Sequence, residues 1–281
     1  MTSLKQKYLC YCYLQDTYRI HIFKLPLGLV GNRKADLSTS VENEWLCLKL
    51  LAAYGLPVAE CEMLTFGRRK VLSVTRFDRK PHPSGKWLLR LPQEDFCQVF
   101  GLSSLQKYEA DGGPGLVEIA GVLRYSVAQA EDLHTLMAAQ LLFWLLAAPD
   151  GHAKNFSIRL LAGGRYRMTP LYDVMSIVVG HGASQFSWHK AKLAMAVVGK
   201  NRHYGFREIQ RRHFNAMAPR CFLGADAEPV IRHILDQTPV VIDRVSAAIP
   251  PGFPQKVADT ILDGLRMSVQ RLAAMPAKAR E

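Results

Sequence analysis

A long apolar run in the middle of the chain limits the possible folds more than any other feature of the sequence. The run extends from Leu136 to Pro149, and only Gln140 interrupts it. It is well short of the roughly 20 residues that a membrane-spanning helix needs, so we expect no membrane partner. A helix with apolar residues on every side is buried inside a protein. We therefore predict a globular core around a central helix from Asp132 to Ala148.

The composition is also that of a globular protein. Of the 281 residues, 49% are hydrophobic and 21% are charged, which excludes collagen-like, coiled-coil and largely disordered chains. At about 150 residues per domain, the length predicts one large domain or two lobes that share a cleft. The N-terminus lacks the pattern of a secretory signal, and the six cysteines form no C-x-x-C pair. We expect a cytoplasmic protein with reduced cysteines.

The N-terminal part of the chain predicts a small, mostly antiparallel lobe. Alternating residues between Lys7 and Leu25 predict a β-hairpin. A Leu-Ser-Thr-Ser sequence at residues 37–40 offers N-caps for a helix that ends at Tyr54, shortly before a glycine and a proline. Two further strands are predicted from Pro57 to Phe66 and from Val71 to Phe77.

The rest of the chain predicts a larger and mostly helical lobe. A β-hairpin is expected around Gly163 and Gly164, and the other predicted elements are helices over Glu94–Phe100, Leu116–Tyr125 and Asp132–Ala148, with long helical segments after Phe206. We therefore predict an α+β chain with a partial N-terminal lobe over residues 1–80 and a helical C-terminal lobe over residues 81–281.

The polar loop after the apolar run has the pattern of a kinase catalytic loop. Asp150 and Asn155 have the D-x-x-x-x-N spacing. Such a loop can direct the aspartate at a substrate hydroxyl and the amide oxygen of the asparagine at Mg²⁺. Farther along the chain, Asp173 lies among apolar residues, where a carboxylate is costly unless a cation compensates it. Mg²⁺ would supply that compensation.

A lysine and a glutamate upstream complete the pattern of a phosphoryl-transfer site. Lys24 ends a predicted strand, and Glu44 lies in the first turns of the next helix, with Glu42 as the alternative. Phosphoryl transfer depends mainly on positioning and charge neutralisation, so a lysine, a metal-binding carboxylate and a hydroxyl-directed carboxylate are the parts it needs. The order of these residues along the chain fits that chemistry.

Each of these residues also has a purely structural interpretation. Asp150 can form a turn with the following glycine, and Asp173 can be an ordinary turn residue. Lys24 can extend from a strand end into solvent, and Glu44 can lie on a solvated helix face. The D-x-x-x-x-N spacing alone also occurs by chance. The kinase interpretation rests on the conjunction of all these residues in one order.

The chain resembles the HipA family, which comprises toxin serine/threonine kinases of type II toxin–antitoxin modules. The resemblance covers roughly His21 to the C-terminus. The segments that carry it are Ile22–Pro26, Ser40–Glu44, Arg76–Arg79, Leu89–Gln98, Lys107–Gly115, Asp150–Phe156 and Tyr172-Asp173.

This resemblance implies a two-lobed, protein-kinase-like (HipA-like) fold with ATP and Mg²⁺ as cofactors. It makes Asp150 the catalytic base, and Asn155 and Asp173 the metal ligands. Lys24, paired with Glu44, would contact the ATP phosphates. The remaining nucleotide-binding residues that the resemblance implies are Thr75, Arg76 and Phe77 beside adenine, and His152, Ala153, Lys154, Asn155, Tyr172 and Asp173 around the nucleotide.

The resemblance also implies an activity and partners. Family members phosphorylate a serine of a protein, which is an aminoacyl-tRNA synthetase where the target is known, and so block translation. A small HipB-like antitoxin restrains them, and the complex represses its own operator DNA. The implied function is therefore that of a HipA-like protein serine/threonine kinase toxin.

The chain departs from the family pattern at the phosphate-binding loop. Relatives carry an additional N-terminal subdomain and then a glycine-containing loop before the first hairpin strand. Here Met1–Lys7 occupies the position where that loop ends, and no glycine precedes Gly28. Loss of the backbone N–H groups that hold phosphates would weaken ATP binding. We expect either that a separate polypeptide supplies the N-terminal subdomain or that the kinase is truncated, with weak or no activity.

A basic segment supports a second class of function. Residues 185–220 contain eight Lys and Arg but one acidic residue, Glu208. Such a segment can contact DNA phosphates within an antitoxin complex or an acidic protein substrate, and the alternative is a solvated surface.

The sequence as a whole leads to three hypotheses about function. The first is a kinase toxin, the second is an inactive remnant that acts as an antitoxin-binding corepressor on DNA, and the third is a small-molecule phosphotransferase.

Overall fold

A computed structural model describes residues 20–30, 35–179 and 191–278. The first strand of the predicted N-terminal hairpin, near residues 8–13, lies outside these described residues. In chain order the strands are β1 (His21–Lys24), β2 (Gly28–Val30), β3 (Ala35–Leu37), β4 (Cys61–Phe66), β5 (Arg69–Thr75), β6 (Arg79–Pro81), β7 (Leu88–Arg90), β8 (Gln93–Asp95), β9 (Ser157–Leu160), β10 (Tyr166–Met168), β11 (Lys192–Val198) and β12 (Arg202–Gly205). The helices are α1 (Ser40–Ala53), α2 (Phe96–Val99), α3 (Leu116–Leu123), α4 (Gln129–Leu145), α5 (Arg211–Met217), α6 (Glu228–Ala247) and α7 (Gln255–Ala274).

The N-terminal part forms a three-stranded antiparallel sheet that packs on one helix. The strand order is β1-β5-β4, and Lys24 pairs with Leu72 at the end of β1. Helix α1 packs against β4 and β5. The predicted helix end is confirmed, because α1 stops after Ala53 and Gly55 follows with φ +87°, a left-handed conformation that glycine adopts without strain.

The predicted central helix is confirmed as α4, which lies in the core. Leu142, Trp144 and their neighbours are buried, and α4 packs against α3, α6 and α7. Gln140, the one polar residue of the apolar run, is also buried, and its Nε2 donates to the carbonyl of Met195 at 2.9 Å. The amide therefore satisfies a backbone acceptor of β11 rather than interrupting the helix.

The structure confirms one predicted hairpin and corrects the start of one predicted helix. The predicted hairpin around Gly163 is confirmed, since β9 and β10 are antiparallel with Tyr166 opposite Leu160. The expected helix over Glu94–Phe100 is wrong at its start, because Gln93–Asp95 is strand β8. The side chain of Asp95 caps α2, accepting from the backbone N–H of Gln98 at 3.0 Å.

The hairpin formed by β11 and β12 lies in a region for which the sequence predicted no element. Strand β11 is buried from Leu193 to Val198. A strand buried on both faces lacks the alternation that identifies a strand in sequence. In the part of the chain that the structure describes, no helix combines the length and apolar character that crossing a membrane requires.

Candidate active site

Three elements that are distant in sequence bring Lys24, Glu44 and Asp173 together. Lys24 ends β1, Glu44 lies in the second turn of α1, and Asp173 follows β10 in the loop. The Lys24 Nζ lies 2.6 Å from the Glu44 Oε1 and 2.8 Å from the Asp173 Oδ1. One ammonium therefore pairs with two carboxylates.

Glu42, the alternative partner that the sequence offers for Lys24, pairs with a different lysine. The Oε1 of Glu42 lies 2.6 Å from the Nζ of Lys70 on β5. Residues 42 and 44 point in different directions from a helix, so they cannot share one partner easily. The structure therefore pairs Glu44, rather than Glu42, with Lys24.

Burial and charge have opposite effects within this cluster. Burial favours a lower pKa for the Lys24 ammonium, but the Glu44 and Asp173 carboxylates outweigh it and raise that pKa above its ordinary value. Burial raises the pKa of Glu44 to about 7, since the opposing effect of Lys24 is incomplete and Asp173 adds repulsion. Lys24 is therefore charged at neutral pH, whereas Glu44 exchanges a proton near neutrality.

The position of Asp173 depends on unusual backbone geometry. Its φ is +62°, a left-handed conformation that is uncommon for residues other than glycine and more accessible to aspartate than to most. Two residues earlier, Leu171 exchanges backbone hydrogen bonds with Pro57 and Ala59 of the N-terminal part, at 2.9 and 2.8 Å. These bonds hold the segment that carries Asp173 against the small sheet.

The catalytic-loop candidate Asp150 lies in a more open environment. Its side chain is 55% exposed, and its Oδ1 accepts a hydrogen bond from the Tyr108 hydroxyl at 2.8 Å. Burial, reinforced by the Asp150 carboxylate, raises the pKa of the Tyr108 hydroxyl, so Tyr108 remains a donor. An exposed carboxylate that already accepts from one hydroxyl is well suited to accept from another.

The loop after Asp150 is held by its own hydrogen bonds. The Asn155 Nδ2 and the His152 backbone N–H donate to the Asp150 carbonyl at 2.7 and 2.8 Å. Burial lowers the pKa of His152, partly opposed by Asp150. A Cβ on Gly151 would lie 2.5 Å from the Phe143 ring of α4, so only glycine allows this close approach of the loop to the helix.

Two adjoining cavities connect the two halves of the site. Lys24, Glu44 and Asp173 line a space of about 10 Å³, and Asp150 lines one of about 100 Å³. Both cavities share Ser40 and Met175. Small-molecule sites usually enclose about 300–1,000 Å³, so neither of these two spaces alone has the volume of a nucleotide site.

The other predicted nucleotide-pocket residues divide into two groups. Phe77 packs on Tyr172, with ring centroids 5.8 Å apart, next to Asp173. By contrast, the Arg76 Nε and Nη2 bind the Asp78 carboxylate at 2.8 and 2.7 Å, and the Lys154 Nζ binds the Asp95 Oδ2 at 2.5 Å. The Arg76 and Lys154 side chains are thus engaged in structural ion pairs.

Backbone contacts account for the last two predicted residues. Ala153 is fully buried, and its N–H donates to the Lys107 carbonyl at 3.2 Å. Thr75 ends β5, and its N–H donates to the Glu60 carbonyl at 2.8 Å. Both residues therefore contribute backbone geometry to the region.

Sequence reasoning missed two contributors to the site. Tyr108 reaches Asp150 from 42 residues away. Asn43 on α1 exchanges two buried hydrogen bonds with the backbone of Ser176, at 2.7 and 2.9 Å, and the Ser176 Oγ donates to the Leu146 carbonyl at 2.6 Å. The polar Asn43 between two glutamates of an apolar helix was the available signal for this network.

Three of the eight basic residues of the basic segment have partners within the protein. Arg202 pairs with Glu109 at 2.8 Å, Arg211 donates to Glu228 at 2.9 Å, and Arg220 donates to the Gly199 carbonyl at 3.2 Å. Lys190 lies outside the described residues. The arginines with internal partners stabilise the C-terminal lobe, and their charges are partly neutralised by it.

Solved structures share the fold of this chain. A chain of the Shewanella oneidensis complex of HipA, HipB and operator DNA matches 90% of this chain and 58% of its own length, with a TM-score of 0.73 and 22% identity. The Helicobacter pylori proinflammatory kinase CtkA matches 90% of this chain and 87% of its own length, with a TM-score of 0.56 and 11% identity. The chain therefore has a kinase-like α+β fold, as the sequence predicted.

Sequence relatives define the family more closely. The family model described as "HipA-like C-terminal domain" matches residues 3–242. The serine/threonine-protein kinase toxin HipA of Shewanella oneidensis is 33% identical over 172 residues, and the protein Y4mE of Sinorhizobium fredii is 36% identical over 159 residues. Each match covers 56% of this chain, but only 37% and 36% of the respective relative. The chain belongs to the HipA-like C-terminal domain family and spans little more than a third of these curated relatives.

Proposed function

We propose that this chain carries the active site of an ATP- and Mg²⁺-dependent protein serine/threonine kinase. The observation that supports this most is the ion-paired cluster in which Lys24 contacts both Glu44 and Asp173. A lysine that is ion-paired with a helix glutamate, near an aspartate that can bind a metal, is the arrangement that positions phosphates in kinases. The HipA relatives support a protein, rather than a small molecule, as the substrate.

The oxygen donors of the site fit Mg²⁺. The Asn155 amide nitrogen is used within the loop, so its amide oxygen is the atom that remains for a metal. Asp173 contributes a carboxylate, and Mg²⁺ typically binds one or two such groups together with substrate phosphates and water. No group of three or more His, Cys, Asp or Glu residues within the described ranges could hold a metal alone, which agrees with a metal that arrives with a nucleotide.

The proposed mechanism assigns one task to each group. Asp150 accepts the proton of the attacking serine hydroxyl, because its carboxylate is exposed and already acts as an acceptor. Lys24 stays protonated and offers its charge to the phosphates, while Glu44 keeps the ammonium in place. Mg²⁺, when bound by Asn155 and Asp173, neutralises the phosphate charge. Phe77 and Tyr172 supply an aromatic wall for adenine.

The partners follow from the relatives. The solved complex contains HipA, HipB and operator DNA, so we propose a HipB-like antitoxin, and DNA reached through it, as partners of this chain. The substrate is a serine of a protein, with an aminoacyl-tRNA synthetase as the leading candidate, and its modification would block translation. A cytoplasmic location suits all three partners.

The decisive experiment measures phosphate transfer. Labelled ATP with Mg²⁺ is offered together with casein as a serine-containing acceptor. We expect transfer by the wild type, and rates at least about 100-fold lower for Asp150→Asn and Asp173→Asn. Asp236→Asn, at an exposed position of α6, is the matched control and should retain the wild-type rate. Equal rates in all four proteins would refute the assignment.

A second function is supported by the small space around Lys24 and by the pairing of its ammonium. The space around Lys24 is about 10 Å³, and the Lys24 ammonium is already ion-paired with Asp173. A catalytically inactive corepressor that joins an antitoxin on DNA would show this arrangement permanently. Two measurements distinguish the two functions. The inactive protein would retard operator DNA in a mobility-shift assay together with the antitoxin, but calorimetry would detect no binding of Mg²⁺-ATP.

A further inference from the structure

An apolar cavity lies outside the candidate active site, between the end of α4 and helix α7. It encloses about 370 Å³, which is within the usual range of about 300–1,000 Å³ for small-molecule sites. Its lining residues are Leu145, Leu146, Ala147, Val178, Ile261, Gly264, Met267, Ser268 and Arg271. Except for Ser268 and Arg271, the lining side chains are apolar or absent.

Among the described residues, Arg271 is the only charged one of this lining, and it has no carboxylate partner there. Its guanidinium lies 4.8 Å from the ring centre of Trp144, and its Nη2 donates to the Phe206 carbonyl at 3.2 Å. The Nε is buried without a hydrogen-bond partner. Burial lowers the pKa of Arg271, and the like charge of the neighbouring Arg207 lowers it further.

The residues that follow Val178 in the sequence contain no carboxylate either. The stretch from Val179 to Lys190, which follows the lining residue Val178, contains no Asp or Glu. The half-buried Arg271 guanidinium has no carboxylate partner among the described residues, and a buried Nε–H without an acceptor is costly. An anion that enters the cavity would supply the guanidinium with the missing counter-charge.

We propose that this cavity binds a small amphipathic carboxylate. The apolar body lies between Val178, Ile261 and Met267, and the carboxylate pairs with the Arg271 guanidinium. Arginine suits this role because its planar fork matches a carboxylate, and its charge persists when it is buried. The cavity dimensions accommodate a medium-length alkyl chain, and a bulky polar ligand would find no partners on the apolar walls.

The first test compares three probes that share one alkyl chain. Decanoate, decanol and decyltrimethylammonium are titrated into the whole chain below their micellar concentrations. We expect decanoate to bind about 10- to 100-fold more tightly than decanol, and the cationic probe not to bind. Equal binding of all three would show unspecific apolar partitioning, and absence of decanoate binding would show that the cavity is filled or closed. Either result overturns the proposal.

Variants on α7 then locate the site. Arg271→Gln should weaken decanoate at least about tenfold and leave decanol unchanged, whereas Arg266→Gln, on the exposed face of the same helix, should change neither. Gly264→Leu should prevent both probes from binding, because a Cβ there meets only Val178 atoms at 3.9 and 4.0 Å and a longer side chain fills the cavity. Unchanged decanoate affinity in a folded Gly264→Leu protein would place the ligand elsewhere.

Discussion

Lys24 and Asp150, which we assign to the phosphate and hydroxyl ends of the reaction, have opposite environments. The Lys24 side chain is 17% exposed and already holds two carboxylates, whereas the Asp150 side chain is 55% exposed and accepts one hydrogen bond from Tyr108. At the phosphate end, the Lys24 ammonium is thus already paired with two carboxylates. At the hydroxyl end, the Asp150 carboxylate is exposed and can accept a further hydrogen bond. Charge pairing in the first region contributes to folding, while the second is available for chemistry.

Removal of the Lys24 ammonium should have the largest effect on stability and therefore tests this contrast most strongly. Lys24→Met leaves the buried Glu44 facing Asp173, so we expect the free energy of unfolding at pH 8 to fall by about 3–5 kcal/mol. Urea denaturation measures the loss, and Arg266→Met, which breaks the exposed pair with Asp263, should cost less than about 1 kcal/mol. A similarly small loss for Lys24→Met would show that the cluster is not a stabilising unit.

The next effect concerns pH. Glu44 has a pKa of about 7 in the folded protein and 4.5 when unperturbed, so the folded state binds its proton more tightly. Its contribution to stability is therefore complete below pH 4.5 and is lost as the pH rises to 7, by about 3 kcal/mol. The Glu44→Gln variant should lack this decrease when unfolding is measured between pH 4.5 and 8. Identical pH profiles of variant and wild type would assign the titration to another group.

The smallest effect on stability is expected at the open end of the site. Tyr108→Phe removes one exposed hydrogen bond, so the free energy of unfolding should change by less than about 1 kcal/mol. Because the Tyr108 hydroxyl competes with the substrate hydroxyl for Asp150, we expect kcat/KM for phosphate transfer to rise about 2- to 10-fold. A decrease in kcat at unchanged KM would instead identify Tyr108 as a positioning residue for Asp150.

The sequence predicted the features that depend on local pattern. The apolar run predicts helix α4, and the D-x-x-x-x-N spacing predicts the loop with Asp150 and Asn155. The order of the charged residues along the chain predicts the pairing of Lys24 with Glu44. Tyr108 was missed because its contact joins segments 42 residues apart, and no local pattern encodes that distance. Strand β11 was missed because both of its faces are buried, which removes the alternation that identifies strands.

The hydrogen bonds between Asn43 and Ser176 have a consequence for motion. They join α1 to the segment after Asp173, and Ser176 continues to the Leu146 carbonyl at the end of α4. Separating α1 from the segment after Asp173 would break the two buried Asn43–Ser176 hydrogen bonds. We therefore expect α1 to stay attached to the segment after Asp173 when a ligand enters, so that Glu44 keeps its position beside Lys24 and Asp173.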